Sequence, residues 1–430
     1  MLFFSEFVSL PFDWNLLLYG AGLAGAAGAA SVLAHESPAD YEGLENIDLD
    51  NLKNRVTELE SVPARTLEQN DELAALYAVW AAVLCAEEAD MNEVSTLYGK
   101  AEEVLQATLA QGDDAEIRRQ LGGVYLAWAV AFNDYGDLET SVDYYQKGID
   151  TLKPLDDAGD GEAKYETAGI KLNLGMVYRE LGEFKKAKAT FEESFLAYRA
   201  VEKIGVLYDT RFYMAKVSVQ QGNLLYEMGE AVGAIVDAYN RAMRLYVEVI
   251  EDEGRTELER DLANVLMDRC MVTFEDCLSQ KFESDEERNN VIDDIALDIS
   301  RGLELLEKQI QEGDEAVRYD LFHGVTLQGK VLCAAGKYDE AKQFLDRALT
   351  EFADLGEGGD EEDDDVFLMQ TAEAYCDRAV VHLGLGDNDQ SKRDCQKGSE
   401  LVGKLIQLES DDEAILELKE RFQILLEQLG

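Results

Sequence analysis

Residues 172–195 read LNLGMVYRELGEFKKAKATFEESF, and this stretch decides the fold. Leu174, Val177, Tyr178 and Leu181 recur at i, i+3, i+4 and i+7, which places them on one stripe of an α-helix. Gly182 follows where a helix C-terminus favours a residue free to take positive φ. A second stripe then runs through Phe184, Ala187, Phe191, Ser194 and Phe195. Each helix carries a small residue, Gly175 in the first and Ala187 in the second, so the two can approach closely. The stretch predicts an antiparallel helical hairpin.

Such a hairpin cannot bury its apolar face alone, so copies are expected. Alignment on the turn glycine finds them. DYGDLETSVDYYQKGI turns at Gly136, YEMGEAVGAIVDAYNRAM at Gly229, AAGKYDEAKQFLDRAL at Gly336 and GLGDNDQSKRDCQKGS at Gly386; AEEADMNEVSTLYGKAEEV turns near Ala89. Neighbouring turns lie roughly 46 to 50 residues apart, with one gap of roughly 107 that holds a longer hairpin. That hairpin reads RDLANVLMDRCMVTFEDCL, then IDDIALDISRGLELLEKQI. The chain therefore divides into an apolar Ala/Gly-rich segment (1–45), an entry helix (46–67), an array of about seven hairpins (68–408) and a capping helix (409–430). The cap starts at Ser410 and Asp411 and carries Ile415, Leu418, Phe422 and Leu425 on one stripe.

The pattern resembles the tetratricopeptide repeat family. Its Leu-Gly pair, Tyr, Ala and aromatic knob match Leu174, Gly175, Tyr178, Ala187 and Phe191, with Ser194 in place of the closing Ala. In the Gly336 copy the matching residues are Gly329, Ala341 and Ala348, with Leu345 in the aromatic slot; in the Gly229 copy they are Gly222, Ala234 and Ala242. The Gly136 copy keeps Tyr145 but has Ala129, Ser141 and Gly148 at the small positions. The resemblance implies an all-α fold, an α-solenoid wound as a right-handed superhelix. The repeats here exceed the family's usual ~34 residues. The extra length suits helices of ~20 residues joined by Asp/Gly-rich connectors, so the family's superhelical pitch does not carry over. Only Pro154 lies within the repeat region.

Composition narrows the partners. With 89 acidic against 39 basic residues the net charge is −50, which disfavours nucleic acid and anionic membrane surfaces as partners. The acids run along the whole chain, as for a solubilising surface, and a basic partner is the functional alternative. Six consecutive acids from Asp360 to Asp365 follow a Gly-rich lead and read as a solvated connector. DDAGDGEAKYET approaches a calcium loop through Asp156, Asp160 and Gly161, but Ala158 and Thr167 fill ligand positions. Six cysteines lie within helical stripes without a CxxC pair, as reduced thiols of the cytosol would. Cys270 and Cys277 share one helix face. Cys376, His382 and Cys395 read as core fillers, with zinc or nucleophile chemistry the alternative.

Residues 16–34 are uncharged and reach the minimum length of a bilayer span, yet no Lys or Arg precedes Lys53. A protein-packed segment, a membrane anchor and a cleaved signal all remain open for this stretch. The chain lacks HExxH, GxSxG and a phosphate loop, so no catalytic, cofactor-binding or metal residues are assigned. The expected function is a non-catalytic, cytoplasmic scaffold or adaptor that binds a partner peptide or helix, basic or apolar. By the resemblance, the groove would be lined by Leu126, Val130, Leu172, Met176, Val219, Asn223, Thr326 and Lys330. The family's carboxylate clamp is not assigned, because Asn173, Asn223 and Lys330 fall on distant copies. A membrane-tethered adaptor held by residues 16–34 is the second reading, and an enzyme on a helical-repeat frame the third.

Overall fold

First helices bury residues over most of their circumference, whereas second helices bury a single stripe. The computed structural model shows what this difference builds. It describes residues 47–430 apart from 206–208, 283, 352, 354, 356–360 and 409–412. The N-terminal segment 1–45, with its possible span, lies outside the described residues. Sixteen helices and no strand occur among those described.

Two compact units divide the chain between Met228 and Gly229. The first runs through the entry helix α1 (Leu49–Glu60), then α2 (Leu67–Ala86), α3 (Met91–Leu109), α4 (Ala115–Asp134), α5 (Leu138–Asp157), α6 (Gly161–Glu180), α7 (Phe184–Ile204) and α8 (Thr210–Glu227). The second holds α9 (Val232–Glu253), α10 (Glu259–Ser279), α11 (Asp285–Glu312), α12 (Arg318–Ala334), α13 (Tyr338–Glu351), α14 (Glu361–Gly384), α15 (Asn388–Leu408) and α16 (Glu413–Gln428). In each unit successive helices pack antiparallel, and the first helices also stack on one another: α2 on α4 on α6 on α8, and α10 on α12 on α14. The final helix α16 packs on both α14 and α15, as the first helix of a further pair would.

The close approach within a pair follows from its small residues. A Cβ added at Gly175 would lie 2.6 Å from the ring of Phe191, and one at Gly329 would lie 2.6 Å from Leu345. In these two pairs the knob of the second helix thus seats directly on a glycine backbone of the first. The second helices in turn receive knobs from the next first helix: Ile170 seats against Gly148, and Phe422 against Gly398. Where serine replaces alanine its hydroxyl finds a carbonyl. Ser141 donates to Ala129 at 2.7 Å, Ser391 to Ala379 at 2.8 Å, and Ser194 to Ala168 at 2.6 Å. Leu174, Ala187 and Ala341 are buried and Tyr178 is partly so.

One assignment is corrected. Ala234 is exposed, and the buried stripe of α9 is Ile235, Tyr239, Ala242, Tyr246 and Val249. The connector after Gly229 is one residue longer than after Gly182, so the helix starts later and the small position of the pattern is filled by Ile235. Gly222 is buried in α8. The acidic connector is also corrected, because α14 begins at Glu361, inside the run. Acids at a helix N-terminus are favoured by its exposed N–H groups and dipole.

The first pair has no turn glycine. Glu88 takes its place at φ 53°, a left-handed conformation that disfavours a side chain. Glu88→Gly is expected to stabilise the first unit by about 1 kcal/mol, read as a higher midpoint in urea. An unchanged midpoint would mean that the connector relaxes without cost.

Candidate partner-binding face

The first helices of stacked pairs supply the inner layer of each unit, so the predicted groove residues are judged there. Leu126 is a core residue, clustered with Ala129, Tyr145, Ile170 and Leu174, and is not open to a partner. Leu172, Met176 and Asn223 are buried, while Val130 and Val219 are partly exposed. In the second unit Thr326 is buried and donates its hydroxyl to the Phe322 carbonyl at 2.9 Å; Lys330 is partly exposed. The apolar lining read from the repeat pattern is therefore largely interior.

The polar groups of these helices form the more informative set. Arg119 on α4 reaches Asp160 at 3.1 Å, Glu116 at 2.6 Å and Glu162 at 3.5 Å. Asp160 caps α6 by accepting from Ala163 at 3.0 Å, and Asp156 pairs with Lys164. The calcium-like spacing is thus explained by a cap and an ion pair. Deeper in the same layer lie Asp71 on α2, Gln120 on α4 and Glu166 on α6. Burial, with Glu116 nearby, pushes the Asp71 carboxyl up to about 6. Burial, with Glu162 close by, pushes Glu166 up to about 8.

A pH prediction follows for Glu166. Its folded pKa lies above the ordinary 4.5, so its contribution to stability is fully present below that value and is lost as pH rises towards 8. The wild-type midpoint should fall across this window by the equivalent of about 4 kcal/mol, and Glu166→Gln should flatten the fall. A wild type and variant that decline in parallel would refute the assignment.

In the second unit, α14 presents Asp377, which accepts from Arg421 at 2.9 Å and leaves its Oδ2 buried without a hydrogen bond. Arg378 forms two bonds to Asp394, at 2.9 and 2.8 Å, and a third to Asp346 at 2.9 Å. His382 stands 3.7 Å from Asp394 in the same clasp. Cys376 and Cys395 are fully buried, and burial raises their thiols to about 12 and about 11. Thiols held this far above neutrality are poor nucleophiles. Cys270 is raised likewise, to about 12, and all six cysteines are free. Among the described residues no group of three His, Cys, Asp or Glu could hold a metal ion. No described helix is long and apolar enough to cross a membrane.

Repeated antiparallel pairs with glycine-seated knobs define the class: an all-α helical-repeat protein, a solenoid of stacked hairpins. By sequence, residues 168–200 match the tetratricopeptide repeat family. Among curated proteins none matches it by sequence. The chain is similar in fold to the apo form of RapI, at 12% identity and TM-score 0.52 over 97% of both chains. It is also similar to a protein from Pyrococcus horikoshii, a signal transduction ATPase with numerous domains and a tetratricopeptide repeat sensor. There the identity is 14% and the TM-score 0.50, covering 95% of this chain and 54% of that one.

The sequence pattern passed over Asp71, Gln120, Glu166 and Asp377 because they fall outside the two positions per helix that it assigned to the groove. One signal was available: acids and amides placed in helices that are otherwise apolar all round.

Proposed function

We propose that the chain is a non-catalytic interaction scaffold that binds a segment of another protein along the first helices of its repeats. One observation carries this reading. Buried side-chain oxygens without a hydrogen-bond partner concentrate on first helices: those of Asp71, Gln120 and Glu166 in one unit, and of Gln328, Gln370 and Asp377 in the other. Folded proteins leave few buried polar groups unpaired, and a cost of about 1–3 kcal/mol each is accepted where a ligand supplies the partner. The second helices differ, since much of their charge pairs locally, as in Lys342–Asp346 and Arg347–Glu351. The repeat family and the solenoid fold agree with a scaffold role.

The test is selection of a random displayed-peptide library on the full chain, followed by affinity measurement. Selected peptides should lose affinity in Asp377→Ala or Glu166→Ala and keep it in Glu139→Gln, an exposed change on α5. Peptides indifferent to both first-helix changes would place binding elsewhere and sink the reading.

A further inference from the structure

Three successive first helices bring together Asp71, Gln120 and Glu166, which lie far apart in sequence. The pairwise stacking of α2 on α4 and of α4 on α6 joins them. One cation of the layer, Arg119, is engaged by Asp160, Glu116 and Glu162, with its Nε left short of a hydrogen bond. The nearby Arg118 and Lys164 are committed too, to Asp113 and Asp156. Asp71 and Glu166 both feel the charge of Glu116, so the group is continuous across the three helices.

What remains beside that donor is a set of acceptors. Asp71 Oδ1, Gln120 Oε1 and Glu166 Oε2 are buried atoms with no hydrogen-bond partner. Gln120 is the independent sign that this is more than a crowd of acids. It is a neutral amide, 7% exposed, close enough to Asp71 to favour the carboxylate, and its own carbonyl oxygen is unpaired. Oxygens in a locally negative setting call for a ligand that donates hydrogen bonds and carries positive charge. An ammonium offers three donors and a guanidinium five. An anion would meet repulsion, and the group lacks the ligand geometry for a metal ion.

We propose that Asp71, Gln120 and Glu166 form a subsite for the lysine or arginine side chain of a bound partner. This deepens, and rests on, the scaffold reading above. In the free protein the two carboxyls favour protons over bare charges, because burial and the neighbouring Glu68, Asp114, Glu116, Asp160 and Glu162 raise both, with Arg119 opposing at Glu166. Entry of a cation reverses this balance and drives a proton out of Glu166. Binding near neutral pH is therefore coupled to proton release, and affinity rises with pH as the carboxyls ionise.

The experiment uses the full chain with two kinds of probe. Peptides selected from the displayed library report partner recognition; n-butylguanidinium, n-butylammonium and spermidine report the subsite alone. Selected peptides should share a Lys or Arg, and its replacement by norleucine should weaken binding at least tenfold. Glu166→Gln and Gln120→Leu should each abolish that difference, while Glu139→Gln, an exposed change on α5 that removes a full negative charge, should not. Calorimetry in two buffers of different ionisation enthalpy should show about one proton released per peptide at pH 7, and none in Glu166→Gln. Peptides that bind without a basic position overturn the subsite and leave the scaffold standing. If no peptide binds, the scaffold reading fails; n-butylguanidinium binding lost in Glu166→Gln would then preserve the cation site, and its absence would overturn that too. Spermidine binding tighter than every peptide would assign the site to a free polyamine and overturn the partner side chain.

Discussion

Asp394→Ala is expected to destabilise the second unit by about 3–5 kcal/mol. The carboxylate accepts two bonds from Arg378 and is itself buried, while Arg378 is nearly so. Removing it leaves a guanidinium in the interior with only the more exposed Asp346 to answer it. The loss would come mainly from that stranded charge rather than from the pair's net worth. The double change Arg378→Met with Asp394→Leu should therefore recover most of the stability. Urea unfolding of the two variants decides the matter: a double variant as weak as the single one would mean that the clasp contributes through its bonds and not through charge burial. His382 beside the clasp is read here as part of the packing between α14 and α15. It occupies the position at which the third pair carries Tyr178.

Gly175→Leu should cost about 3 kcal/mol in the first unit. The first added atom would already stand 2.6 Å from two carbons of the Phe191 ring, which is fully buried and has no free space to turn into. Even Gly175→Ala requires the ring or the helix to shift. Phe191→Ala costs stability alone by leaving a cavity, yet combined with Gly175→Leu it should give a double variant more stable than the sum of the single effects. Strict additivity in that cycle would show that the two residues do not share one contact. The same test applies at Gly329 and Leu345, where the distances are alike although the knob is aliphatic.

These pairs show what a repeat pattern conveys. Gly175 with Phe191, and Gly329 with Leu345, were legible because a small residue and a knob recur at fixed distances from a turn glycine. Local spacing and helical period specify such contacts, since both partners belong to one hairpin. Ala234 was misread for the same reason. A one-residue difference in a connector leaves the glycine in place but rotates every later side chain by about 100° round the helix.

The amino-acid sequence by itself determined the helices, their pairing, the turns and the resemblance to a repeat family, because each of these rests on residues within about one repeat of one another. It also indicated that thiol, metal and phosphate motifs were wanting. Only the tertiary structure decided which first-helix residues are interior, since Leu126 and Val130 share one stripe and one cluster, yet Leu126 is buried and Val130 only partly so. It likewise decided that Asp71, Gln120 and Glu166 lie on successive first helices that stack on one another. Their proximity depends on the stacking of three separate hairpins, and no local period records which oxygens that stacking leaves without a donor.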